Sequence, residues 1–131
     1  MDVAENIDHF SIFYKLMKTT EYHSIWEERK IEERRRRELA IAKAKAVAKT
    51  LKEKFNAKEV ILFGSLIWRP DFLWKGTDID LLVKGLRSKK YFEALADISE
   101  ISHPFHVDLI PIEKAWPLIK ERALREGLRL E

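Results

Sequence analysis

The chain reads as an α/β (α+β) domain, a small mixed β-sheet with helices packed on one face, preceded by an N-terminal helical extension. Three observations predict this. A stretch without Gly or Pro, from about Ser24 to Asn56, repeats apolar residues at helical spacing. Two short apolar runs, Val60-Ile61-Leu62-Phe63 and Asp80-Leu81-Leu82-Val83, have the length of buried strands. A third run, Phe105-His106-Val107-Asp108-Leu109-Ile110, comes only after another helical stretch, which makes that stretch a crossover.

The segment Ile7–Tyr22 carries Phe10, Phe13, Tyr14 and Tyr22 in a helical pattern. In the long stretch after it, Ala40, Ala44, Val47, Ala48, Leu51 and Phe55 form an apolar stripe, so its second half is expected to pack on the sheet, while its mostly charged first half is expected to project. The division expected is a helical extension over 1–56 that packs on a domain over 57–131. Phe63 ends the first strand at Gly64, and Ser65 starts a short helix that cannot pass Pro70. Asp71 to Gly76 is loop, in which Trp68 before it, Phe72 and Trp74 are read as filling space beside the core rather than as a stacking platform.

Gly85 ends the second strand, and Ser88 is placed as the N-cap of the crossover helix, which runs to about Ser102. The third strand starts from Pro104 and closes at Pro111, and a last helix spans Glu113 to Glu126 before Gly127. Alternation along a strand puts Asp78 and Asp80 on one face, with Ile79 and Leu81 turned into the core. Asp108 sits likewise between Val107 and Leu109 and joins the same group. His106 shares its face and is read as a polar neighbour.

Two carboxylates held so close repel, and a divalent cation beside them removes that cost most simply. Mg²⁺ suits them, because it takes oxygen ligands from one or two carboxylates and completes its shell with water and substrate phosphates. Three carboxylates are enough for two such ions, one at an attacking hydroxyl and one at a leaving phosphate. Gly64 allows close approach of backbone to a phosphate, and the helix that follows offers N–H groups to it.

On Leu62-Phe63-Gly64-Ser65, Thr77-Asp78-Ile79-Asp80-Leu81-Leu82-Val83 and Val107-Asp108-Leu109, the chain resembles the nucleotidyltransferases of the polymerase-beta superfamily, most closely the minimal nucleotidyltransferase (MNT) group. The likeness runs from about Lys58 to the C-terminus, where Arg125-Glu126-Gly127-Leu128-Arg129-Leu130 looks like the group's final turn and short strand. It implies the nucleotidyltransferase fold and transfer of a nucleoside monophosphate from an NTP, here ATP first, to a hydroxyl. Gly64 and Ser65 would then hold the triphosphate, Asp78 and Asp80 would bind Mg²⁺, and Asp108 would complete the metal site and help deprotonate the acceptor. The group usually has an arginine soon after Gly-Ser; here Leu66-Ile67-Trp68 stands there, and Arg69, Lys75 or Lys84 is left to supply the charge. Many minimal members are antitoxins that modify a tyrosine of a HEPN-domain protein, so a HEPN partner is expected. The alternative is a nucleotidyltransferase-like module that neutralises its partner by binding alone.

Composition bounds these readings. The 131 residues, 46% of them hydrophobic, suit one core, and the acceptor-binding surface of larger relatives must come from a partner, a second copy or the substrate. There is no cysteine, which excludes disulfides and thiolate metal sites and agrees with a cytoplasmic setting. The first residues carry no secretion signal, and no apolar run is long enough for a bilayer, so no membrane role is expected. A net charge of +3 from 25 basic and 22 acidic residues gives no strong field for nucleic acid. Arg34-Arg35-Arg36-Arg37 is read as a salt-bridged helix face, with Glu32 to Arg36 and Glu33 to Arg37 as its pairs, in preference to an RNA contact.

Overall fold

The stretch without Gly or Pro is helical throughout. In the computed structural model, which describes residues 21–69 and 78–131, α1 runs over Glu21–Phe55. Arg36–Glu131 form one compact unit, which holds the second part of α1 and every later element. Within it the expected stripe Ala40, Ala44, Val47, Ala48, Leu51 and Phe55 is buried. These positions fall on one side of a 3.6-residue repeat, and small residues at 40, 44 and 48 let the helix backbone lie close to its neighbours. The helix ends where Asn56 adopts φ 60, a conformation asparagine tolerates better than most residues, and Ala57 N–H returns to Leu51 O at 3.0 Å.

Four strands follow in one sheet: β1 (Glu59–Phe63), β2 (Ile79–Lys84), β3 (Val107–Pro111) and β4 (Leu128–Leu130), in spatial order β3-β2-β1-β4. β1 is antiparallel to both β2 and β4, and β2 is parallel to β3, so the sheet is mixed as expected. The parallel pair needs a crossover, and α3 (Tyr91–Ser102) provides it. Between β1 and β2 lies the single-turn α2 (Ser65–Trp68), and α4 (Pro117–Glu126) precedes β4.

Alternation sorts the strand residues onto two faces. Val60, Leu62, Ile79, Leu81, Val83, Val107 and Leu109 join the α1 stripe, with Ala94 and Ile98 of α3, in the main core. Ile61, Phe63 and Leu82 lie on the other face, where Ala123 of α4 and the partly buried Trp68 and Ile110 pack on them. The second face, which the sequence reading left open, is therefore half covered by α4. Asp80 and Asp108 occupy its uncovered end.

Several boundaries differ from expectation. β3 begins at Val107 rather than Pro104, because the buried Ser102 locks the turn before it: Phe105 N–H donates to Ser102 O at 2.8 Å, and Ser102 Oγ donates to Phe105 O at 2.9 Å. Ser88 does not cap α3; it opens a 3₁₀ turn, Ser88–Lys90, and neither that turn nor α3 has a side-chain cap. The last helix starts at Pro117, not Glu113. Proline suits the first helical position, and Trp116 before it is extended, which leaves Ile112–Lys114 as a separate 3₁₀ turn. The Glu32–Arg36 and Glu33–Arg37 pairs do not form. Arg36 lies 5.1 Å from the Phe105 ring centroid and Arg37 Nε donates to Leu66 O at 3.3 Å, so both guanidinium groups are drawn onto the domain. The helix expected over Ile7–Tyr22 lies outside the described residues except for its last two positions, which begin α1.

Candidate functional site

β1, β2 and β3 present their functional residues at one corner because of their register. Phe63 pairs with Asp80, and Asp80 with Asp108, so the chain reaches Gly64 just past the level at which the two carboxylates lie side by side. Ile79 N–H donates to His106 O at 2.9 Å and fixes the parallel pair at this end, which brings Asp78 and His106 to the same rim. One ligand atom each from Asp78, His106 and Asp108 lie within 4.8 Å of one another. His106 Nδ1 is 3.9 Å from Asp78 Oδ1 and 3.7 Å from Asp108 Oδ1. The sequence reading made His106 a polar neighbour; in the structure it stands between two of the three acids, and its period-two spacing from Asp108 was the signal for that.

Asp80 is placed differently from the exposed Asp108. It is half-buried against the turn, where a Cβ on Gly64 would overlap its carboxylate and lie 3.0 Å from its Cγ. Gly64 has φ +82, so both the close approach and the backbone angle require glycine here. Burial first, then the charge of Asp108, a hydrogen bond shared with it, and the charge of Asp78 push the Asp80 carboxyl up to about 6, while His106 acts in the opposite sense. Two acids sharing a proton in this way have lone pairs in excess of the protons and cations around them. Hard oxygen donors with unbalanced negative charge fit a small divalent cation, and His106 adds a nitrogen at the same rim.

The glycine turn leads into α2, whose Ile67 and Trp68 N–H groups donate to Gly64 O at 3.1 and 2.8 Å. The N–H groups of Ser65 and Leu66, at the start of the turn of helix, have no such partner within it. Ser65 is exposed beside the acids' corner of the sheet. Arg69 is exposed just beyond α2, as its C-cap, and its backbone N–H donates to Ser65 O at 2.9 Å. Lys75, with Phe72 and Trp74, lies outside the described residues. Lys84 pairs with Glu59 at the opposite end of β2 from Asp80, which removes it as a source of charge for this corner. The cation found near the turn is one that sequence reasoning did not assign there, Arg37, through its bond to Leu66 O. Trp68 packs 5.9 Å from the Phe63 centroid and is covered by the Arg122 guanidinium at 3.8 Å, consistent with filling space.

This geometry agrees with comparisons to known proteins. The family model described as "Polymerase beta, Nucleotidyltransferase" matches residues 45–130. The chain belongs to the polymerase-beta nucleotidyltransferase family. The match takes in the end of α1, all four strands and the whole acidic corner. Among solved structures, a protein assigned as a minimal nucleotidyltransferase is 24% identical with TM-score 0.56, over 70% of this chain and 93% of that one. The fold of the described domain is thus that of a minimal nucleotidyltransferase. A nucleotidyltransferase-assigned protein from Sulfolobus solfataricus is 23% identical over 76% of this chain and 84% of its own, with TM-score 0.45. A search of curated proteins finds no match.

Proposed function

We propose that the chain is a Mg²⁺-dependent nucleotidyltransferase that moves a nucleoside monophosphate, AMP from ATP first of all, onto a hydroxyl of a protein or other macromolecule. The observation that carries this reading is the corner itself: Asp78, Asp80, Asp108 and His106 on adjacent strand ends beside a glycine turn that only glycine can make. Asp78 and Asp80 would hold the metal with Asp108 completing the set, and the bound ion would offset the negative charge of carboxylates and phosphates. Gly64 and Ser65 would receive the triphosphate, with backbone N–H groups directed to its oxygens. Asp108 is the exposed member of the pair and accepts the proton of the acceptor hydroxyl. The hydroxyl oxygen bonds to the α-phosphorus, the bond from that phosphorus to the bridging oxygen breaks, and pyrophosphate leaves with the electron pair.

The partner class follows the resemblance to minimal nucleotidyltransferases, in which a HEPN-domain protein takes the nucleotide and the transferase serves as antitoxin. A second reading is favoured by one observation: apolar Leu66, Ile67 and Trp68 occupy the positions after Gly-Ser where the group usually carries arginine. On that reading the chain neutralises its partner by binding and turns over no nucleotide. Incubation with α-labelled ATP, Mg²⁺ and a HEPN-domain protein separates the two. Label on the partner that disappears with Asp78→Asn/Asp80→Asn supports transfer; tight complex formation without label supports the binding module, and equal labelling by the double variant sinks the assignment of these acids.

A further inference from the structure

Among the described residues β3 is an edge strand, with no further strand of the sheet on its outer side. Because Ile79 N–H bonds to His106 O and the pair is parallel, the backbone groups of His106, Asp108 and Ile110 turn toward β2, while those of Val107 and Leu109 turn outward. Tyr91 Oη donates to Leu109 O at 2.8 Å, which marks that outward direction. Between this edge and α3 runs a groove of about 380 Å³, walled by Tyr91, Leu95 and Ser99 and opening at His106 and Asp108. It falls within the usual size of a ligand site, roughly 300–1,000 Å³. Along its length stand Val107 N–H, Val107 C=O and Leu109 N–H, a short ladder of backbone donors and acceptors that ends beside the acidic corner.

We propose that this groove takes an extended polypeptide segment of a partner protein, which adds to β3 as a further strand and brings a hydroxyl-bearing side chain to Asp108. The term acceptor for that segment rests on the nucleotidyl-transfer reading; the docking does not. Alternation makes the connection between the two. A residue of the added strand opposite Asp108 puts its side chain on the same face as Asp108, about 5 Å away between Cβ atoms, while its neighbours point to the apolar side of the groove. Strand addition to an exposed sheet edge draws its affinity from main-chain bonds and its selectivity from alternate side chains.

Charge decides against a nucleic acid. The lining of the groove carries Asp108 and His106 and no Lys or Arg, and Asp78 stands beside them at the opening; the acids of α3 turn away from it, Glu93 to Lys90 at 3.2 Å and Asp97 to Lys54. A nucleic acid, whose binding depends on cations against its phosphates, finds none along this groove and meets Asp108 at its opening. A neutral or basic polypeptide meets no such objection.

The test uses the whole chain without nucleotide. A random octapeptide display library is selected on the wild type and counter-selected on Ser99→Trp, which fills the groove from an exposed position; Ser99→Arg replaces it if the tryptophan variant does not unfold at the wild-type temperature. The strongest peptide, made synthetically, is expected to bind the variant at least tenfold more weakly and to slow hydrogen exchange at the Val107 and Leu109 amides at least tenfold. Three results overturn the proposal: no enrichment that depends on the groove; protection of both amides in a peptide-free chain of doubled mass, which assigns the edge to a second copy; or stronger protection by polyuridine than by peptide. Titration of the wild type with Mg²⁺-ATP is read separately. A chain that pairs with peptide and binds no Mg²⁺-ATP supports the docking and overturns the nucleotidyl-transfer reading.

Discussion

Asp80 has a carboxyl that the fold holds up to about 6, so the metal-free folded chain keeps a proton there that the unfolded chain releases near 4. Between those values the folded state binds more protons than the unfolded one, and stability therefore falls as pH rises; above about 6 the whole penalty is present. After screening by solvent around the exposed neighbours, it amounts to on the order of 1–2 kcal/mol. Urea titrations at pH 4 and pH 7 are expected to show this loss in the wild type and to show it absent in Asp80→Asn. Wild-type and variant curves that run parallel across that interval would contradict the assignment. Gly64→Ala tests the neighbouring residue. It places a Cβ on the Asp80 carboxylate at φ +82, and is expected to cost about 1–3 kcal/mol and to abolish nucleotide labelling of the partner. At this scale the acids could be picked out from spacing and alternation, since both are properties of the chain. The contact of His106 with two acids, and the half-burial of Asp80 against Gly64, depend on register between strands that are distant in sequence. Arg37 is further from sight still, because only tertiary packing carries a residue of α1 to Leu66.

At the scale of elements, periodicity found what burial enforces. The α1 stripe was legible because each of its members is buried, and Leu51 is fully enclosed in the main core. Leu51→Ala is expected to lose about 2–5 kcal/mol by urea denaturation, with the spread set by how far the surrounding side chains collapse into the cavity. A loss below 1 kcal/mol would mean that α1 does not pack on the sheet as described. Boundaries were less legible, for physical reasons that differ from case to case. Pro117 was available as a start signal, although the helix was expected to open at Glu113. Ser102 gave no sign that its hydroxyl would hold the turn before β3. The Glu–Arg spacings on α1 permitted ion pairs worth only a few tenths of a kcal/mol each, too little to keep Arg36 and Arg37 from better-buried positions.

For the molecule as a whole, fold and family followed from one ordered set of elements: strand, glycine turn, strand with paired acids, crossover helix, strand with a third acid. The parallel β2–β3 pair is what makes that order produce a site, because it sets Asp108 beside Asp80 at the same end of the sheet. What the sequence did not display was that β3, at the edge of the sheet among the described residues, runs directly into the acids. Among the described residues no helix is long and apolar enough to cross a membrane. The central claim is that the acidic corner binds a divalent ion together with a nucleotide. Its most direct measurement is electron paramagnetic resonance of Mn²⁺, standing in for Mg²⁺, titrated with the chain and a non-hydrolysable ATP analogue. The account predicts loss of the free-ion signal at micromolar chain with the wild type, and its retention with Asp78→Asn/Asp80→Asn. Equal loss of signal with both proteins, or none with either, would contradict it.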